Sequence, residues 1–137
     1  MYNRAKEIRE AKAAGERALA CLYAARDQLS SARNWGVVDM LGGGMISGLM
    51  KHSKIEKAEE DMDRARHAMR EFRNELDDIE GIGSLSMEIG RFLRFADLFL
   101  DGFFVDFMVQ SRIRDARDEV DDAIDQVSSM IDRLNAI

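Results

Sequence analysis

Proline is absent from this chain, and cysteine and tryptophan occur once each, as Cys21 and Trp35. Proline punctuates loops and sheet edges, so a chain without it leans towards long, uninterrupted helices. A lone cysteine excludes an intramolecular disulfide framework and fits a reducing compartment. No stretch approaches the roughly 18 consecutive apolar residues that read as a membrane span. The opening MYNRAKEIREAKAAGERA is charged and lacks the apolar core of a secretory signal. These absences predict a cytoplasmic, soluble protein.

Chemistry is equally thin. Two separated histidines, His52 and His67, with one cysteine do not make a zinc set. Neither histidine follows a glutamate at the spacing of the bundle-type di-iron sites. An EF-hand series ending in glutamate is missing as well. No Ser/His/Asp or Cys/His grouping lies close in sequence, and Cys21 reads as a small apolar core residue. The expectation is a non-enzymatic protein with no metal and no cofactor.

What the chain does have is helical periodicity. Its 137 residues, 46% hydrophobic and 34% charged, suit a single globular domain spanning 1–137. Apolar or small residues recur at alternating spacings of three and four in three segments. The first runs Ile8, Ala11, Gly15, Ala18, Leu22, Ala25, Leu29, Ala32; the second runs Ile55, Ala58, Met62, Ala65, Met69, Phe72, Leu76, Ile79. The third runs Ile113, Ala116, Val120, Ala123, Val127, Met130, Leu134, Ile137. That spacing is a coiled-coil-like packing seam. The fold class predicted is all-α: an antiparallel bundle of three long helices at about 3–33, 45–80 and 103–136. Short helical turns should fill two apolar corners between them. The first helix is rich in small residues, which predicts that it lies in the groove between the other two.

The second and third seams align at a constant offset of 58 residues. Asp39 maps to Asp97, Gly44 to Gly102, Ser53 to Ser111, Ala58 to Ala116 and Leu76 to Leu134. Heptads alone would not align Asp, Gly and Ser ahead of the seam, so an internal duplication is expected. Asp39, Asp97, Ser53 and Ser111 read as structural caps of the helices.

The first corner, NWGVVDMLGGGMISGLMKHSK, joins Trp35 and Asp39 to three consecutive glycines. It resembles a segment of uncharacterised bacterial helical proteins carrying W-G-x-x-D-x-L-G-G-G followed by K-H-S-x-I. The resemblance covers about 20 residues, implies a helical fold and brings no activity. Backbone N–H groups of Gly42, Gly43 and Gly44, with Lys51 and His52, make a candidate anion corner. The spacing matches neither common phosphate-loop motif, and a tight reversal under Trp35 explains the glycines as well.

The second corner holds Phe92, Phe95, Phe99, Phe103, Phe104 and Phe107, six of the seven phenylalanines. Three readings compete: an aromatic plug on the bundle end, an interaction site for a second protein, or insertion at a membrane surface. The interleaved aspartates disfavour the membrane reading, because interfacial helices usually carry a basic polar face.

Charge is unevenly spread. Residues 1–33 sum to +3, while 51–80 and 110–137 each sum to −3, within a net charge of −6. A basic first helix against two acidic ones favours docking within or between chains and argues against nucleic acid as partner. The function expected is a helical interaction module that self-associates as a homo-oligomer or binds another protein. A bundle face or the phenylalanine-rich corner would make the contact. Anion binding at the glycine corner, or peripheral membrane association through 92–107, are the alternatives.

Overall fold

The computed structural model describes residues 2–42, 45–81, 83–100 and 109–137; the side chains of 31–42, 45–56, 83–86, Phe99 and 109–113 fall outside that description. Four helices make up these residues: α1 (Arg4–Gly42), α2 (Met45–Asp77), α3 (Gly83–Leu100) and α4 (Val109–Asn135). No strand occurs among them, and none of these helices is long and apolar enough to cross a membrane.

The helices begin and end for identifiable reasons. Asn3 opens α1: its side-chain oxygen accepts the Lys6 N–H at 3.2 Å, satisfying a donor that the first turn leaves free. At 39 residues, α1 is about 58 Å long, and it stops where the glycine run begins. The chain leaves α2 through a turn closed by the Ile79 N–H on the Leu76 carbonyl at 3.1 Å. Gly81 there takes φ +93°, a conformation open to glycine at little steric cost. The Glu80 N–H donates to the Tyr2 hydroxyl at 3.1 Å, tying this turn to the start of α1.

Where side chains are described, the three predicted seams are buried apart from their outer ends, Ile8 being half-buried. Ala11, Ala18, Leu22, Ala25 and Leu29 of α1 meet Met62, Ala65, Met69, Phe72 and Leu76 of α2 and Val120, Ala123, Val127, Met130 and Leu134 of α4. The last seam position, Ile137, is exposed instead. A side chain on Gly15 would meet the Phe72 ring and Ile131 Cγ1 at 3.1 Å. The small-residue helix therefore does lie between α2 and α4. Its register is antiparallel to both, since Tyr2 reaches Glu80, Gly15 faces Phe72 and Ile131, and Arg26 pairs with Asp121.

Two expectations need correction. The first corner is no break after residue 33: α1 continues through Trp35 and Asp39 to Gly42. Nothing between Ser31 and Leu41 forbids a helix, since proline is absent and Gly36 is a lone cost of about 1 kcal/mol. The second corner is more than a short turn. It contains α3, 18 residues long, whose Ile89, Phe92, Leu93 and Ala96 are buried at helical spacing. The described residues therefore form four helices. Among the described residues α1 lies against α2 and α4, and α3 lies against the same two. The helices close a ring in which each has two neighbours.

Candidate functional site

Side chains that carry charge gather in four places on this frame. Across the α2–α3 seam, the Arg66 guanidinium donates to Asp63 on its own helix and to Asp97 of α3 at 2.9 Å. Arg70 stands 3.9 Å from the same Asp97. Burial alone would lower the Arg66 pKa, but the hydrogen bonds to Asp97 and Asp63 outweigh it and hold the group above its ordinary value. Its Nε finds no partner. Asp97 is thus no cap. It sits in the last described turn of α3 and anchors that helix to α2.

A second cluster lies where α1 and α2 meet. Carboxylate oxygens of Glu7, Glu10 and Glu75 lie within 4.8 Å of one another, and Lys6 is 3.9 Å from Glu10. Burial pushes the Glu75 carboxyl up, and Glu10, Asp78 and Glu7 add to the shift while Arg17 opposes it. Its Oε2 is buried without a hydrogen-bond partner. Three such oxygens fall short of the six or more that hard cations prefer. The trio reads as electrostatic strain at a helix seam.

Cys21 looks onto a shallow groove of about 330 Å³ between α1 and α2, beside Arg64, His67 and Asp63. Burial raises its thiol pKa, with Arg64 pulling the other way and Asp61 and Glu71 adding to the rise. A raised thiol is a poor nucleophile, because the thiolate is the reactive form. His67 is occupied locally, its Nδ1 2.8 Å from the Asp63 carbonyl oxygen. Asp61, the buried charge of this region, pairs with Arg64 at 3.2 Å.

The largest imbalance concerns α1 and α4. Along α4, Asp115, Asp118, Asp122, Asp125 and Asp132 are all exposed and follow the three-four spacing, with Ser129 completing the row. Arg114 and Arg133 bound it. At 1.5 Å per residue the row is about 26 Å long. None of its aspartates has an ion-pair partner among the described residues. Where the N-terminal turns of α1 meet the end of α4 there is an open groove of about 460 Å³, lined by Arg4, Arg9 and Lys12 with Ile8, Leu134 and Ile137. Its three cations are likewise unpaired. The described cross-helix ion pair between α1 and α4 is Arg26–Asp121, at 3.4 Å and largely solvated. Docking within the chain leaves most of the charge on both faces unused.

The residues singled out from sequence are only partly brought together. Phe92 is buried, and Phe95 is half-buried against the core. The Phe99 side chain and Phe103, Phe104 and Phe107 lie outside the described residues. Among the described residues of α3, Met87 and Leu98 are the large apolar side chains that stand exposed, at 74% and 59%, and the aromatic density pointed to neither. Gly42 is the last residue of α1, and α2 opens at Met45; Gly43 and Gly44 lie outside the description, as do the side chains of Lys51 and His52. Asp39 lies within α1, Ser53 within α2 and Ser111 in the first turn of α4. Asp39 and Ser53 therefore do not open helices as caps; the side chains of all three lie outside the description. The aspartate row was legible in the sequence as a helical spacing, but attention to apolar spacing passed over it.

No family model, no curated protein and no solved structure matches this chain.

Proposed function

We propose that the protein is a non-enzymatic helical interaction module that associates with itself through charged bundle faces. The observation that carries this reading is the segregation of unpaired charge. Five exposed aspartates line α4, and Arg4, Arg9 and Lys12 gather beside its C-terminal end. Like charges in a row repel one another, and a partner of opposite sign relieves them. In the chain itself the middle of the row, Asp118 to Asp125, is separated from Leu134 by about 14 Å or more of helix. The groove therefore leaves the middle of its own row without a partner, although Asp132 stands two residues from Leu134.

Sedimentation velocity over a concentration series, in low and in high salt, tests the reading. Self-association that weakens as salt is added supports it, because screening shortens the reach of exposed charges. A chain that stays monomeric at every concentration in low salt ends it.

A second reading rests on Met87 and Leu98, which stand on the outer side of α3 with Arg91 and Arg94 between them. There α3 receives an apolar partner helix, in line with the interaction role expected of the phenylalanine-rich corner. Association of that kind persists in high salt and is lost in Leu98→Glu.

The frame itself is read as two copies of one hairpin. α2 and α4 end at Asp77 and Asn135, which differ by the 58 residues of the sequence offset. The buried positions Ala58, Met62, Ala65, Met69 and Leu76 of α2 recur as Ala116, Val120, Ala123, Val127 and Leu134 of α4. In this view the copies share their packing and differ in their surfaces.

A further inference from the structure

We infer that the groove between the start of α1 and the end of α4 is the seat for the aspartate row of a second copy, so that the chain associates head to tail. This rests on the self-association proposed above and names the two surfaces that would meet. The groove offers an apolar floor from Ile8, Leu134 and Ile137 and cations from Arg4, Arg9 and Lys12. Arg4 and Arg9 are exposed and Lys12 is half-buried, and none of the three has an ion partner among the described residues. The incoming α4 presents Asp118, Asp122 and Asp125, spaced four and three apart on one exposed face. Three unpaired cations meet three unpaired carboxylates, and Arg–carboxylate contacts of this sort fix register as well as sign.

The acidic cluster of Glu7, Glu10 and Glu75 does not compete for these cations. It lies at the α1–α2 seam, whereas the groove is bounded by α1 and α4. At this end α1 turns Glu7 and Glu10 to α2 and Arg4, Arg9 and Lys12 to α4.

In the head-to-tail arrangement each contact is heterologous and leaves one groove and one row free at the two ends. Association should continue past the dimer as concentration rises. Complementation is the natural test. In one variant the groove is reversed, Arg9→Glu with Lys12→Glu; in the other the row is reversed, Asp118→Lys with Asp122→Lys. The substituted groups are exposed apart from the half-buried Lys12, and circular dichroism confirms that the helices remain.

Each variant alone should associate at least about tenfold more weakly than the original chain, the equivalent of about 1.4 kcal/mol. Mixed in equal amounts, they should associate again, because the intact row meets the intact groove and the lysine row meets the glutamate groove. Two results overturn the proposal: a groove-reversed chain that associates as well as the original, or a mixture no heavier than its components. If the original chain associates in low salt while the groove-reversed chain does so equally, self-association stands and the groove is the wrong seat. If the original chain does not associate, both fall.

Discussion

Gly15 shows how closely this protein is packed at the level of single residues. Alanine there would gain about 1 kcal/mol of helix propensity, but its Cβ would press on the Phe72 ring and Ile131 at 3.1 Å. Ile131 is partly exposed and can turn aside; Phe72 is fully buried and cannot. Overpacking a core costs about 1–3 kcal/mol, so Gly15→Ala should lose about 1 kcal/mol net, read as a lower urea midpoint. Glu75 works in the opposite direction. Burial, then Glu10, Asp78 and Glu7, raise its pKa in the folded state. A carboxyl raised by folding contributes fully below its unfolded value, and that contribution is lost as pH rises through its folded value. At neutral pH Glu75→Gln should therefore melt higher than the original, and the advantage should disappear near pH 4, about the unfolded carboxyl value. An equal gain at both pH values would point to packing instead of ionisation. Neither residue's environment was legible in advance. Gly15 stood out as a helix glycine needing a close neighbour, but the identity of that neighbour depends on how three helices align. Glu75 looked like any surface glutamate, because its acidic neighbours come from another helix.

Among the elements, α1, α2 and α4 were legible and α3 was not, and the reason is the kind of signal each carries. The long seams repeat three-four spacing over many turns, so burial of residues such as Leu22, Met69 and Val127 followed from the pattern. Four buried residues, Ile89, Phe92, Leu93 and Ala96, give α3 its inward face. The aromatic density around them looked like an irregular corner. Asp97 seemed a cap because it aligns with Asp39, yet it accepts a hydrogen bond from Arg66 at 2.9 Å inside the helix. Half of the Asp97 side chain is exposed, so this bond is a modest anchor, and Asp97→Asn should cost about 1 kcal/mol or less. With a short buried face and a largely solvated tether, α3 should open before the rest. Hydrogen exchange should find its amides losing protection ahead of those from Ala11 to Leu29. Equal protection in both would show that the four helices open together.

For the whole molecule, the ring of four helices buries nearly all of the described apolar seams and leaves its imbalance in charge. Net charge and its uneven distribution along the chain were visible in the sequence; which face each charge occupies was not. Folding turned Glu7 and Glu10 of α1 towards Glu75 and left Arg4, Arg9 and Lys12 by the end of α4. It set the α4 aspartates in an unpaired outer row. Self-association through these surfaces is the central claim, and sedimentation velocity of the unmodified chain in low and high salt meets it most directly. The account predicts a mean mass that climbs with concentration in low salt and falls back towards the monomer in high salt. A monomer at every concentration in low salt, or an oligomer indifferent to salt, would contradict it.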